Sequence, residues 1–338
     1  MKINNLDRKP MRVLYIYRNP KMGYSIGKVF RPIERAMREK CEVDSIEMPC
    51  YGYSLKSLYR NIRYVRNVLS KTHYDIVHIT GTEHYLLPFL QKYKTVVTVH
   101  DLGFYTSFKK SLKLLFKYLL WIRTIPMASM VTFISNKSKE EANEFVTINE
   151  NNLRVIYDPI GDEYVYIPKK INRKEPIILH LGTNPHKNLK RTIKALNKFP
   201  CKLVIIGKIN NNYKKLLEEN CIKYENKCGL TDEEILVEYK KCDLVSFPSL
   251  HEGFGMPIIE GQSVGRPVLT SNITPMKEIS GGGAVLVNPE SVDSIREGYI
   301  ELLANSEMYI QVGLENVKRF RLNVIVAQYY DIYKKLMK

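Results

Sequence analysis

The chain has 338 residues, is 44% hydrophobic and 26% charged, and carries a formal net charge of +17. Its length is too great for one small domain, so two are expected, and its composition excludes collagen-like, low-complexity and disordered classes. The positive charge fits nucleic acid, an anionic membrane surface or a negatively charged small substrate; an A/T-rich coding sequence would give the same look with no partner at all.

Six cysteines (Cys41, Cys50, Cys201, Cys221, Cys228, Cys242) form no CxxC pair and no zinc spacing with histidine, so reduced thiols are expected. The opening MKINNLDRKP lacks the apolar core of a signal peptide, and no run approaches the roughly 20 apolar residues of a spanning helix. A cytoplasmic location is expected, at most peripheral at the inner face of the plasma membrane.

In chain order, MRVLYIY at 11–17 is a short apolar, β-rich run that predicts a buried strand. The loop RNPKMGYSIG follows, with Gly23 and Gly27, and then a helix from about Lys28. Strand, glycine loop and helix open a dinucleotide-type unit, although no GxGxxG is present. Further strands are expected at 41–48, 75–80, 95–100 and 130–135, with helical patterns between them. Asp158-Pro159 and the stretch IPKKINRKEP read as a linker. A second alternation places strands at 177–182, 202–207, 243–248, 267–271 and 284–287, and an amphipathic helix covers 323–338. The fold class expected is α/β: two Rossmann-like, doubly wound parallel-sheet domains facing across a cleft, at 1–165 and 172–322, with the last helix packing back on the first.

The segment HLGTNPHKNLKRTIKAL puts Gly182 at a strand end and Lys187 just before a helix, where an ammonium can meet a diphosphate as a point charge. A solvated lysine in a lysine-rich loop is the competing reading. Next, SLHEGFGMPIIEGQSVG at 249–265 sets Glu252 and Glu260 seven residues apart around a glycine turn, with Pro257 as the expected first helical residue. Strand, tight turn and helix start present backbone N–H groups to an anion. Glu260, one turn in, fits either simple helix-dipole electrostatics or acceptance of vicinal hydroxyls. Glu252, in the loop, is a candidate acceptor for sugar hydroxyls. His100, ending a strand, is either functional or a hydrogen-bonded structural residue. His180 reads as structural, and His78 and His84 form no metal set.

The run CGLTDEEILVEYKKCDLVSFPSLHEGFGMPIIEGQSVGRPVLTSN, with Gly182 and the Lys187-Asn188 pair, resembles the retaining glycosyltransferases of family 4, which adopt the GT-B fold. The likeness runs through ISGGGAVLVNPES and is thinner in the first half, where it rests on VTVHDL (His100, Asp101) and VTFISNKSKEEA. It implies that Lys187 neutralises a donor diphosphate, and that Glu252 with the backbone of Gly253, Phe254 and Gly255, next to Met256, holds the transferred sugar and phosphates. It also implies that Glu260 binds ribose, that His100 meets the sugar, and that Gly23 lines the cleft near the phosphates. Thr183 stands where the family often has arginine, with His186 and Arg191 nearby as substitutes, and the N-terminal loop lacks the usual double glycine. The implied reaction is a retaining, front-face transfer of a hexose from GDP-mannose or a UDP-hexose to a glycan hydroxyl, in bacterial cell-surface polysaccharide assembly. The leaving phosphate assists deprotonation of the acceptor. No DxD motif is present, so no metal or other cofactor is expected.

Two acid-free segments, 55–69 (Lys56, Arg60, Arg63, Arg66) and 108–123 (Lys109, Lys113, Lys117), carry basic and apolar residues at helical spacing. They fit an anionic bilayer, with a lipid-linked acceptor, or ordinary helices with solvated lysines. Another GT-B nucleotide-sugar enzyme, such as an epimerase, is the alternative activity. A nucleic-acid-binding protein is suggested only by charge; no RRM, helix-turn-helix or zinc signature supports it, and no nucleic-acid partner is expected.

Overall fold

The computed structural model describes residues 10–23, 25–100 and 118–338. The chain divides into two compact units: one runs to Pro159 and takes in Leu322–Lys338, and the other is Ile160–Arg321.

In the first unit the strands are β1 (Arg12–Tyr17), β2 (Glu42–Glu47), β3 (Ile76–Ile79), β4 (Lys94–Val99), β5 (Met130–Phe133) and β6 (Leu153–Val155). All pair in parallel, in the order β2-β1-β3-β4-β5-β6. Successive strand side chains point to opposite faces, so a strand covered on both sides must be apolar throughout. β1 shows this: Val13, Tyr15 and Tyr17 enter one core, and Leu14 and Ile16 enter the other. The helices are α1 (Ser25–Met37), α2 (Leu55–Lys71), α3 (Asn136–Asn143) and, from the chain's end, a long helix at Leu322–Met337. That last helix buries Ile325, Val326, Tyr329, Ile332 and Tyr333 against the Val13 face of the sheet. Beneath it His78 joins the Tyr333 hydroxyl at 2.6 Å and the Thr98 hydroxyl at 2.9 Å, and Tyr333 meets Tyr15 at 2.8 Å. The sheet and the returning helix therefore share a buried polar ladder inside an apolar layer.

The second unit has β7 (Ile177–Leu181), β8 (Lys202–Ile206), β9 (Lys223–Lys227), β10 (Leu244–Phe247), β11 (Val268–Ser271) and β12 (Ala284–Val287), parallel in the order β12-β11-β10-β7-β8-β9. Its helices are α4 (Leu189–Ala195), α5 (Asn211–Glu219), α6 (Asp232–Lys241), α7 (Met256–Val264), α8 (Met276–Ser280), α9 (Val292–Ala304) and α10 (Ser306–Asn316), which makes the chain's last helix α11. α6 starts where the sequence says it should: Thr231 and Glu234 form a capping box, three acids fill the first turn and Lys240 and Lys241 the last.

Two strands went unanticipated, β6 and β9, and both are sheet edges. An edge strand pairs on one side only and tolerates polar residues, so the KYENK of β9 carries no apolar signal. The basic stretch at 167–176 is part of the second unit, not a free linker. Ile167 N–H donates to the Val264 carbonyl at 3.3 Å, Lys169 pairs with Asp243 at 3.0 Å, and the break falls earlier, after Pro159.

Candidate functional site

The chain order of the second sheet reverses between β7 and β10: β8 and β9 are laid down on one side of β7, and β10, β11 and β12 on the other. Loops leaving the carboxyl ends of two such strands diverge and leave a crevice, the usual ligand position in open α/β sheets. Lys187 follows β7, and Glu252 follows β10.

Gly182 turns the chain at φ +91°, and a Cβ there would lie 2.8 Å from Lys187 Cγ. Glycine is required both for the backbone and for the lysine stem that lies across it. Asn188 takes a left-handed conformation (φ 62°), is buried, and donates its amide to the carbonyls of Pro248 at 2.9 Å and Pro289 at 2.6 Å. Leu250 N–H donates to the His186 carbonyl at 2.7 Å. The two loops are thus stitched together by backbone and by one asparagine. The sequence showed Asn188 beside Lys187 without giving it a role; asparagine's tolerance of the left-handed region was the available signal.

Lys187 Nζ donates to Glu252 Oε1 at 2.7 Å and lies 4.8 Å from the centre of the Phe247 ring. Both charged side chains are mostly but not wholly buried. Beyond Glu252, the Phe254 ring turns inward and meets Phe320 edge-on at 5.9 Å, leaving backbone as what this residue presents, alongside Gly253. Gly255, at φ +117°, caps α7, and no side chain caps that helix start. Met256 is the first helical residue and Pro257 the second, so the helix starts one residue earlier than expected. Pro257 has no N–H and Ile258 N–H donates to the Gly255 carbonyl at 2.9 Å, so the Met256 N–H and the helix dipole are what this start offers an anion. Glu260 lies one turn in, and its Oε2 accepts the Tyr239 hydroxyl at 2.6 Å.

Thr183 donates its hydroxyl to the Lys208 carbonyl at 2.8 Å. His186 is exposed, its pKa lowered by partial desolvation and by Lys187, and Arg191 donates to Asn188 Oδ1 at 3.2 Å. His180 is fully buried on β7, with its pKa lowered to about 3 by burial.

In the first unit the reversal lies between β1 and β3. Gly23, at φ +110°, follows β1, and its carbonyl accepts from Arg18 at 3.0 Å. His100 follows β4; its Nε2 lies 2.9 Å from the Thr80 carbonyl and its ring meets Phe30 edge-on at 5.9 Å. Asp101 and the segment 108–117, with Lys109, Lys113 and Lys117, lie outside the described residues. Of the rest of that segment, Trp121 is buried and donates its indole N–H to the Thr82 carbonyl at 2.6 Å. Glu83, in the loop after β3 and just before a 3-10 turn at His84–Phe89, was not singled out from sequence. It is buried, and desolvation raises its pKa to about 7. A lone glutamate in a polar loop gives no sequence signal of burial. His84 is likewise buried and donates its Nδ1–H to the Trp121 carbonyl at 3.0 Å.

Two Rossmann-like units, one holding a cation, a carboxylate and a helix start at its switch point, make up a two-domain GT-B fold. Residues 167–318 match the family described as glycosyl transferases group 1, and residues 25–164 match glycosyltransferase family 4. The chain belongs to the family-4 type of GT-B glycosyltransferases. Its curated relatives include the serotype-specific mannosyltransferase WbdA of Escherichia coli, 28% identical over 206 residues, covering 54% of this chain and 25% of that protein. Another is the O-antigen chain mannosyltransferase RfbU of Salmonella typhimurium, 28% identical over 224 residues, covering 63% and 61%. The chain thus spans about a quarter of the length of the first and under two thirds of the second. Among solved structures, sucrose-phosphate synthase from Thermosynechococcus elongatus has a TM-score of 0.77 at 17% identity, covering 97% of this chain and 99% of that one. HepE of Anabaena, in complex with UDP and glucose, has a TM-score of 0.73 at 16% identity, covering 96% and 100%. These likenesses show the fold.

Proposed function

We propose that the chain is a retaining hexosyltransferase that moves a hexose from a nucleoside diphosphate sugar to a glycan hydroxyl in bacterial cell-surface polysaccharide assembly. The observation that carries this is the Lys187–Glu252 pair at 2.7 Å, set beside the uncapped start of α7 at one switch point. Lys187, the Met256 N–H and the dipole of α7 offset the charge of the leaving diphosphate, so the reading calls for no metal. Glu252 and the backbone from Gly253 to Gly255 hold the transferred sugar, and Glu260 accepts the ribose hydroxyls.

The anomeric C–O bond to the diphosphate breaks, and the acceptor oxygen bonds to the same face of that carbon. The acceptor proton passes to a phosphate oxygen of the departing nucleoside diphosphate. Glu252 is engaged with Lys187 and Glu260 with Tyr239, so neither is assigned as a nucleophile; the chemistry rests on positioning and charge. Mannose is the first sugar to test, because two curated relatives are O-antigen chain mannosyltransferases. A UDP-hexose is the second, on the strength of the UDP bound to the Anabaena neighbour.

The acceptor is proposed to be held at an anionic membrane surface, and so to be lipid-linked. α2 exposes Lys56, Arg60, Arg63 and Arg66, together with Leu55, Tyr59 and Tyr64, and its sequence contains no acid. Among the described residues no helix is long and apolar enough to cross a membrane. The experiment is a panel of GDP- and UDP-sugars with a lipid-linked glycan acceptor, scored by released nucleotide and by the anomeric form of the product. Binding of neither UDP nor GDP would remove the proposal, and an inverted product would remove the retaining mechanism.

A further inference from the structure

Glu260 is held from the protein side by one phenol, with a second beside it. Tyr239, on α6 and fully buried, donates to Glu260 Oε2 at 2.6 Å. Tyr164 lies near enough that, after burial, the Glu260 charge raises its phenol pKa. The two rings meet edge-on at 5.9 Å, and the Tyr164 carbonyl accepts the Ser263 hydroxyl of α7 at 2.9 Å. Three separate pieces of chain, the segment before β7, α6 and α7, therefore converge on one carboxylate. Burial and the adjacent negative charge raise both phenol pKa values, so both remain donors throughout the neutral range.

A phenol donating to a carboxylate makes a short charge-assisted hydrogen bond. A carboxylate offers about four acceptor sites, so it can hold phenols and a diol together. Neutral donors fix the plane of the group without cancelling its charge, whereas a lysine in the same place would cancel it. Recognition of a vicinal diol needs such a fixed, still-charged acceptor, because both hydroxyls must meet it in one geometry.

We propose that Tyr239 and Tyr164 are positioning residues for ribose recognition, holding the Glu260 carboxylate in the orientation that accepts the 2′ and 3′ hydroxyls of the donor nucleoside. This rests on the reading of Glu260 as the ribose acceptor. It adds the groups that make the carboxylate selective for ribose.

The test is calorimetric binding of UDP or GDP, whichever binds more tightly, and of its 2′-deoxy form. The proteins are the wild type, Glu260→Ala, Tyr239→Phe, Tyr164→Phe and Tyr239→Phe/Glu260→Ala. The wild type should favour the ribonucleotide by about tenfold or more, and Glu260→Ala should bring the ratio near unity. Each phenylalanine variant should lower the ratio at least about threefold, and Tyr239→Phe should change nothing once Glu260 is alanine. A purely structural tyrosine would shift thermal unfolding and leave the ratio alone. If Glu260→Ala keeps the preference, the ribose reading itself fails. If Glu260→Ala loses it while both phenylalanine variants keep it, the positioning role fails. Should Tyr239→Phe not fold, Tyr164→Phe decides by the same ratio.

Discussion

Replacing Lys187 with methionine keeps the alkyl stem across Gly182 and beside the Phe247 ring, and removes only the charge. If the ammonium meets the donor diphosphate, the loss is one charge-assisted hydrogen bond, about 1.5–3 kcal/mol. At 1.4 kcal/mol per tenfold, nucleoside diphosphate binding should weaken about 10- to 150-fold, while a nucleoside without phosphates binds as before. The effect on stability should be small. The Lys187 and Glu252 side chains are 20% and 13% exposed, so water screens the pair, and a Glu252 left without it costs about 1 kcal/mol, not the 3–5 of a fully buried pair. That amounts to a fall in Tm of about 2–4 °C, regained in Lys187→Met/Glu252→Gln, which should still bind diphosphate poorly and transfer nothing. Titration calorimetry with UDP, GDP and uridine, alongside thermal unfolding, reads both quantities. Unchanged diphosphate affinity, or a fall in Tm of more than about 10 °C, would refute the reasoning by making Lys187 a bystander or a structural residue.

Gly182→Ala should act through the same lysine, because the new methyl meets Lys187 Cγ at 2.8 Å on a backbone at φ +91°. Expected are a loss of about 1–2 kcal/mol in stability and weakened UDP or GDP binding, and full affinity by calorimetry would contradict the packing argument. Reversing Lys56, Arg60 and Arg63 on α2 to glutamate should weaken sedimentation with phosphatidylserine vesicles at least about 100-fold, at about 1 kcal/mol per basic residue; a wild type that does not sediment would end the membrane proposal. Stability should peak near about pH 6.5. Burial lowers the pKa values of His78, His84 and His180 to about 3, 4 and 3 from 6.5, so their contribution is full above pH 6.5 and lost as pH falls toward 3. Glu83 and Asp158, raised by burial to about 7 from 4.5 and 3.8, contribute below those values and lose it as pH rises to 7. Below pH 6.5 the two carboxyls oppose the three histidines and leave a shallow, long acid limb, whereas from 6.5 to 7 the carboxyls act alone, so the alkaline limb should be the steeper and shorter; a Tm that climbs steadily to pH 8 would show the buried carboxyls have been misjudged.

The parallel sheets were legible because strands covered on both faces must be apolar along their whole length, as MRVLYIY and DLVSFP are. The same logic explains what was hidden. β9 lies at a sheet edge and reads as a polar loop, and the LRV of β6 is too short for any periodicity to register. The stretch at 167–176 has a linker's composition, but its basic side chains find acceptors on the second unit, Lys169 on Asp243 and on the Cys242 carbonyl at 3.0 Å. Composition reports how readily a segment is solvated and is silent on where its hydrogen bonds go.

At the site, spacing alone makes Glu252 and Glu260 look like a matched pair, and their partners separate them. Glu252 is paired with a cation on a flexible stem, and Glu260 is held by the neutral Tyr239 phenol on a packed helix. A lysine–glutamate pair is exchangeable: an arriving diphosphate offers the ammonium more negative charge than one carboxylate does. On the proposed function, Lys187 then turns toward the phosphates as Glu252 turns toward the sugar hydroxyls, and neither group is left without a hydrogen-bond partner. Glu260 has no such exchange to make, since a phenol does not neutralise it and a ribose need not displace the phenol. One carboxylate is therefore built to change partners during the donor's arrival and the other to stay still. That division lies in the residues facing each glutamate, Lys187 from the β7 loop and Tyr239 from α6, which are 65 and 21 positions away in the chain.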